Sequence, residues 1–337
     1  MTVDNGHIDV LVLTQWDWAN TVYRYTKCLE SLGLNVVAFK GEKHPFDYPD
    51  ELPIHPALRE RPMNTYHYVP QLLPYSRQAK VLHFFTSTFI DSGVDPFSTN
   101  IVFQHGGTTY RHFSQFLNSF YNHFVDKTIV QTPDLLGLGA ANETLITSPV
   151  QIDAITPRFE RPDPNKVIFG HFPRHPAVKG SNDILSVLDN LKRDPELGNK
   201  FNYTFSIDTV SWPENIERMA KCDVIIETCK PEQYGKKFGE WGNTSLEAAA
   251  LGKIVITNSL SLDAYIREYG KPELLIANNK EELERRVVSV LRWPVELLAH
   301  TKAKTRKWVE SNHSIEATAK RLWEKVYKIL FNGGNNG

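Results

Sequence analysis

Two short stretches in the second half of the chain carry residues suited to binding an anion. The first is a basic loop that contains Arg174 and Lys179 and precedes a predicted helix. The second is a run of small residues before the helix-forming sequence LEAAAL: Gly242, Asn243, Thr244 and Ser245. Backbone N–H groups at a helix start bind phosphate, and small residues let the phosphate approach closely. Two helix starts and two cations at one crevice therefore predict a diphosphate site.

Glu247 follows the small residues and is predicted to lie in the first turn of its helix. A carboxylate there would repel a phosphate placed beside it, but it accepts hydrogen bonds from neutral hydroxyls such as those of a ribose. The alternative is that Glu247 only complements the helix dipole.

The first half of the chain has candidates at the ends of two predicted strands. His105 directly follows the strand IVFQ, where it could hydrogen-bond a ligand, stabilise a developing charge or serve as a structural histidine. Trp16, Asp17 and Trp18 follow the strand IDVLVL and could form a substrate platform, although strand-end aromatic residues often only pack. Their connection, TQWDWAN, lacks the GxGxxG of a dinucleotide fold, so a Rossmann dehydrogenase is not supported.

Two series of alternating strands and helices must position these residues. A linker with four prolines separates the series: Pro149, Pro157, Pro162 and Pro164. In the second series, Ser181 or Asn182 is predicted to cap the helix after the basic loop, and the last helix is predicted over residues 294–329. We therefore predict an α/β protein with a Rossmann-like acceptor-side domain (1–155) and a Rossmann-like donor domain (165–315). A C-terminal helix (316–330) is expected to pack back on the first domain.

Composition excludes several classes of protein. The 337 residues are 41% hydrophobic and 23% charged, as in an ordinary two-domain globular chain. The net charge of −1 gives no field to attract nucleic acid or acidic membrane, although peripheral membrane contact stays open. No apolar run reaches the roughly 20 residues of a membrane span. Three scattered cysteines form no CxxC pair, which predicts neither disulfide nor zinc site and favours a cytoplasmic location.

The second half of the chain resembles the retaining GT-B glycosyltransferases, especially the large family 4. GHFPRHPAVKGSNDILSVLDNL is similar to that family's strand, Arg, Lys-Gly and helix segment, and ENIERMAKCDVIIET to the helix and strand that precede its donor loop. GNTSLEAAALGKIVITN resembles its Gly-rich turn, Leu-Glu-Ala helix and next strand. Before residue 150 the likeness is limited to Gln104-His105-Gly106 and TSPVQIDAITP. The resemblance implies two Rossmann-like domains facing each other across a cleft.

The resemblance also implies roles for the candidate residues. Arg174 and Lys179 would bind the donor diphosphate, and Glu247 would bind the ribose. The backbone from Gly242 to Ser245 would hold phosphates or sugar, and His105 would lie near the transferred sugar. The family's first glutamate, which contacts the donor sugar, falls on Gly239 in this chain. Either a local shift brings Glu240 into its place, or the contact is lost.

We therefore expect transfer of a sugar from a nucleotide-diphosphate sugar to a glycan or other hydroxyl acceptor, with retention of configuration. No DxD sequence stands in the chain, so we expect no metal, and no cofactor besides the nucleotide-sugar co-substrate. Asp17 as a base in an inverting reaction is one alternative. Others are a GT-B epimerase or phosphorylase and a non-catalytic nucleotide-sugar-binding protein.

Overall fold

A computed structural model describes residues 7–59, 65–233, 235–238 and 240–332 of the chain. The chain divides into two compact units. The first unit contains the chain up to Pro149 and again from Ile315, and the second unit is Val150–Ser314. Gly239, the position of the family's first glutamate, lies outside the described residues.

The first unit is built on a parallel sheet of six strands in the order β2-β1-β4-β6-β7-β8. A second, two-stranded sheet pairs β3 with β5. The strands are β1 (Ile8–Thr14), β2 (Val36–Lys40), β3 (Tyr66–Tyr68), β4 (Ala79–Phe85), β5 (Phe89–Asp91), β6 (Asn100–His105), β7 (Lys127–Val130) and β8 (Glu143–Leu145). The helices between them are α1 (Thr21–Ser31), α2 (Leu73–Ser76) and α3 (Gly107–Tyr121). The apolar run IDVLVL becomes a central strand because a parallel sheet is covered on both faces.

The second unit is built on a parallel sheet of five strands in the order β10-β9-β11-β14-β15. Its strands, including the short hairpin β12-β13, are β9 (Val167–His171), β10 (Phe201–Phe205), β11 (Val224–Ile226), β12 (Glu232–Gln233), β13 (Lys236–Lys237), β14 (Ile254–Thr257) and β15 (Leu275–Ile276). Its helices are α4 (Pro176–Lys179), α5 (Ser181–Arg193), α6 (Trp212–Ala220), α7 (Asn243–Ala250), α8 (Leu262–Tyr269), α9 (Lys280–Leu291) and α10 (Val295–His313). The predicted α/β alternation is therefore confirmed in both halves of the chain.

The prediction of one helix over residues 294–329 is wrong. Helix α10 ends at His313, because Ser314 is extended (φ −62°, ψ 164°) and forms a β-bridge with Val150. The chain continues as α11 (Ile315–Leu322), a π-helical turn (Trp323–Tyr327) and α12 (Lys328–Asn332). These elements belong to the first unit: α11 packs on α1, and the Tyr327 hydroxyl lies 2.6 Å from His83 Nδ1 in β4.

Each unit has its own hydrophobic core. In the first unit, β1, β4 and β6 pack with α1 and the C-terminal helices. In the second unit, β9, β11 and β14 pack with α5 and α9. Among the described residues, every helix is too short or too polar to cross a bilayer.

Candidate functional site

The carboxyl ends of β9, β11 and β14 lie at one edge of the second unit's sheet, because these neighbouring strands run parallel. His171 ends β9, Glu227 directly follows β11, and Asn258 directly follows β14. Helices α5 and α7 begin near this edge, each after a loop that leaves it. Ligands of open α/β sheets bind at this edge, so the predicted anion-binding residues lie where the fold can use them.

The turn at Lys179 and Gly180 brings the basic loop against the chain that follows β11. The Cys229 N–H donates to the Lys179 carbonyl (3.0 Å). Gly180 has φ +70°, and a Cβ atom there would lie 2.6 Å from the Cys229 carbonyl oxygen. Only glycine fits this left-handed conformation at so close an approach. The turn thereby places the Lys179 side chain beside Glu227.

Glu227 is the centre of the site, and it is 4% exposed. Its Oε1 accepts a hydrogen bond from Lys179 Nζ (2.8 Å), and the Gly242 N–H lies 3.1 Å from both carboxylate oxygens. The Ser245 hydroxyl donates to Oε2. Burial by itself raises the pKa of this carboxyl, but the Lys179 ammonium and the Ser245 and Gly242 hydrogen bonds outweigh it. The pKa of Glu227 therefore lies below its ordinary value, and the residue is a carboxylate.

Sequence reasoning did not identify Glu227, although it predicted the residues around it. The backbone from Gly242 to Ser245 is expected to bind the donor, but the Gly242 N–H and the Ser245 hydroxyl bond an internal carboxylate. Asn243 and Thr244 are half-buried in the first turn of α7, where backbone N–H groups have no acceptor within the helix. The signal that could have identified Glu227 is a carboxylate directly after the buried strand sequence VII, at the ligand edge.

The placement of Glu247 in the first turn of α7 is wrong. Helix α7 begins at Asn243, so Glu247 is its fifth residue, in the second turn, and it is 3% exposed. Its Oε1 accepts a hydrogen bond from Trp212 Nε1 at the start of α6 (3.0 Å). This hydrogen bond joins the start of α6 to α7.

Glu240 is also buried, at 5% exposed, and precedes α7. Its Oε1 accepts a hydrogen bond from the backbone N–H of Ser261, which lies just before α8. The carboxylate thus connects the loop before α7 to the chain after β14.

The other predicted cation, Arg174, is exposed in the loop between β9 and α4. The prediction that Ser181 or Asn182 caps α5 is wrong, because Gly180 precedes the helix and no side chain caps it. Ser181 is instead the first residue of α5, with its hydroxyl 2.8 Å from His171 Nε2. The other ring nitrogen of His171 lies 2.8 Å from the Ile226 carbonyl. Burial lowers the pKa of His171 to about 4, so it acts here as a neutral structural group.

In the first unit, His105 is the last residue of β6 and is 1% exposed. Its Nδ1 lies 2.9 Å from the Ser87 hydroxyl, and its ring stacks on Tyr110 with centroids 3.9 Å apart. Burial lowers the pKa of His105 to about 3. His105 is therefore neutral near pH 7, so it can hydrogen-bond a ligand but not present a positive charge.

The three candidates after β1 differ in their surroundings. Asp17 is buried and accepts hydrogen bonds from the N–H groups of Val22 (2.7 Å) and Tyr23 (3.1 Å), in the first turn of α1. Asp17 therefore stabilises the start of α1 by accepting hydrogen bonds from its first-turn N–H groups. The Trp16 and Trp18 rings stack on one another, and Trp18 is 50% exposed.

Lys179 supplies a positive charge at this edge of the sheet. Within the described ranges, no three His, Cys, Asp or Glu side chains come together in a way that could hold a metal ion. Lys179 is 29% exposed at its side chain, and one of its three N–H donors bonds Glu227. Among the residues that the structure describes, no second group accepts from this ammonium, which leaves two donors for an anionic ligand.

No protein-family model and no curated protein sequence matches the chain. Solved structures match it over nearly its whole length. A glycosyltransferase from Rickettsia africae is 16% identical, with 98% of this chain and 100% of that chain covered and a TM-score of 0.62. Sucrose-phosphate synthase from Thermosynechococcus elongatus is 14% identical (97% and 100% covered, TM-score 0.63). HepE from Anabaena, in a complex with UDP-glucose, is 13% identical (96% and 100% covered, TM-score 0.61).

These similarities establish the fold. The chain has the GT-B fold, with one Rossmann-like parallel sheet in each unit. The fold class predicted from the sequence is confirmed.

Proposed function

We propose that this protein is a glycosyltransferase that moves a sugar from a nucleotide-diphosphate sugar to an acceptor hydroxyl. The observation that carries the proposal is Lys179, fixed by Glu227 beside the start of α7 at the ligand edge of the second unit. A structural neighbour, HepE, is solved with UDP-glucose, which supports a nucleotide sugar as donor. In this proposal the second unit binds the donor and the first unit binds the acceptor.

The difficult step of such a transfer is departure of the nucleoside diphosphate, which gains negative charge as the glycosidic bond breaks. Lys179 and Arg174, together with the first-turn N–H groups of α7, would stabilise that charge. Because these groups are already in position, no reorganisation is needed as the charge develops. A fixed donor of this kind contributes about 3 to 4 kcal/mol to a transition state. Protein charge alone would then do the work of a metal ion, so we propose a metal-independent reaction.

The remaining candidate residues would orient the donor. Glu247 would accept hydrogen bonds from the ribose hydroxyls, and Glu240 would contact the donor sugar. His105, being neutral, would donate or accept one hydrogen bond near the transferred sugar. Asp17 accepts hydrogen bonds from the N–H groups at the start of α1, which makes it a poor base for an inverting reaction and favours retention.

A cytoplasmic location fits the proposal. The three cysteines are buried thiols without disulfide bonds, as is usual in a reducing compartment. We propose two partners, a nucleotide sugar and an acceptor that is a glycan or another hydroxyl compound. We propose no nucleic-acid partner.

The first experiment is a thermal-shift screen of nucleotide sugars and nucleoside diphosphates, since a ligand at about 100 times its dissociation constant adds about 2.7 kcal/mol of stability. Product analysis then separates the functions. Sugar transfer supports the proposal, isomerisation without an acceptor indicates an epimerase, and binding without even slow hydrolysis indicates a non-catalytic protein.

Substitutions test the role of the cations. Lys179→Ala and Arg174→Ala should each lower the catalytic rate by about a hundredfold or more, if each supplies about 3 kcal/mol. Lys200→Ala is the matched control, because Lys200 lies at the amino end of β10, away from the ligand edge. Rates within about threefold of wild type for both edge variants would remove these cations from the mechanism.

A further inference from the structure

Two tryptophans form a stacked pair at the carboxyl end of β1. The ring centroids of Trp16 and Trp18 are 5.9 Å apart, and the planes differ by 17°. Trp18 is half exposed. In the part of the chain that the structure describes, the buried Nε1 of Trp16 has no hydrogen-bond partner. The pair thus offers the open aromatic face of Trp18, backed by the Trp16 ring.

The backbone that carries this pair is strained. Ala19 (φ +53°) and Asn20 (φ +55°) both adopt the left-handed conformation that residues other than glycine rarely adopt. The Ala19 N–H donates to His44 Nε2 (2.9 Å), and Asn20 Nδ2 donates to the Asp50 carbonyl (2.7 Å). Strain of this kind persists only where the surroundings enforce it, and it concentrates at ligand sites. The backbone directly after Trp18 is therefore held in place by its surroundings.

A second strained pair lies at the same edge of the sheet. Thr86 (φ +59°) and Ser87 (φ +60°) follow β4, the neighbour of β1. Ser87 in turn contacts His105 at the end of β6, the next strand. Elsewhere among the described residues, left-handed residues other than glycine occur singly. Strain is thus concentrated at the carboxyl ends of neighbouring parallel strands, where open α/β sheets bind ligands.

The chemistry of the tryptophan pair selects its ligand. A flat indole face packs against the C–H face of a sugar ring, while hydroxyls at the ring's rim remain able to form hydrogen bonds. The charged residue between the two tryptophans, Asp17, is buried and bonded to the start of α1. Asp17 therefore presents no exposed carboxylate between the two rings. The indole rings themselves are uncharged, which favours a neutral ring as the ligand.

We propose that Trp16 and Trp18 form a platform that binds the face of a sugar ring in the acceptor. This inference rests on the proposed transferase function and specifies its acceptor as a carbohydrate.

Binding to the platform can be tested without a donor. Tryptophan fluorescence of the full chain is titrated with a panel of disaccharides that contain glucose, mannose or galactose. At least one disaccharide should give a saturable change in fluorescence. Trp18→Ala should weaken the affinity for that disaccharide by about tenfold, equivalent to about 1.4 kcal/mol, and Trp18→Phe should weaken it less. Phe116→Ala is the matched control, since Phe116 is exposed on α3, and it should bind as the wild type does.

Turnover separates this inference from the transferase proposal. With the donor found by screening, Trp18→Ala should raise the KM for the disaccharide by about tenfold while donor hydrolysis and nucleoside diphosphate affinity stay within about twofold. Three results would overturn the platform proposal. They are no binding by any disaccharide, equal effects of Trp18→Ala and Phe116→Ala, and saturable binding of choline instead of a sugar. If the wild-type protein binds no nucleotide or nucleotide sugar, the transferase proposal is refuted, whereas the fluorescence result for sugar binding still holds.

Discussion

The Glu227 carboxylate should contribute to both the stability of the second unit and donor binding. Glu227→Ala removes the acceptor for Lys179 Nζ, for the Gly242 N–H and for the Ser245 hydroxyl. Breaking a fully buried ion pair costs about 3 to 5 kcal/mol. Lys179 is 29% exposed and can be hydrated, whereas Ser245 is fully buried and keeps an unsatisfied hydroxyl. We therefore expect a loss of about 2 to 3 kcal/mol in the free energy of unfolding.

Glu227→Gln should cost less, about 1 kcal/mol, because the amide oxygen still accepts from Lys179 and Gly242 and its NH₂ can donate to the rotatable Ser245 hydroxyl. Urea denaturation of the full chain gives both differences. Glu196→Ala is the control, since Glu196 forms an exposed pair with Lys200 (3.5 Å) and should change stability by less than about 0.5 kcal/mol.

Donor affinity provides a second measurement. If Glu227 acts on the donor through Lys179, the effects of Glu227→Ala and Lys179→Ala on nucleoside diphosphate affinity should be non-additive, with a coupling of about 0.5 to 3 kcal/mol. Two results would refute the reasoning about Glu227: an unfolding free energy for Glu227→Ala within about 0.5 kcal/mol of wild type, or additive effects in the double variant.

Three further predictions concern the other candidate residues and the metal. Glu247→Gln should weaken binding of a nucleoside diphosphate, whereas Glu240→Gln should slow turnover of the intact donor and spare product binding; equal effects on product binding would reverse the two assignments. Burial raises the pKa of Asp17 to about 6, so the folded chain holds a proton that the unfolded chain loses near pH 4, and stability falls as pH rises between these values. Asp17→Asn should therefore gain about 2 to 3 kcal/mol relative to wild type between about pH 4 and pH 6.5 in urea denaturation, and a constant difference would contradict the buried-carboxyl account. Turnover should survive excess EDTA, and activity lost there but restored by Mg²⁺ or Mn²⁺ would exclude a metal-free reaction.

Local sequence alone predicted most strands of the two large sheets and several helix bounds, but not the short strands β3, β5 and β15. Strands are predicted by apolar runs such as IDVLVL and IVIT, and the end of a helix by Gly252. These signals depend on conformational preferences and burial patterns that span only a few residues. Lys179 could be singled out because a basic residue before a helix at a strand's carboxyl end is itself a local pattern. The same reasoning failed at Ser314, where pairing with Val150 interrupts a sequence that is otherwise helical.

Only the tertiary structure decided which partners these residues have and which charges they carry. Glu227 forms a hydrogen bond with Lys179, which lies 48 positions away in the sequence. Glu247 bonds Trp212, 35 positions away. Both contacts form because the order of the parallel strands brings their loops to one edge of the sheet. His105 stands at the predicted strand end, but its charge depends on burial against Tyr110, which no local pattern encodes. Sequence patterns over a few residues specify local conformation, whereas contacts between distant residues and the burial that shifts a pKa arise only when the sheet and its helices pack together.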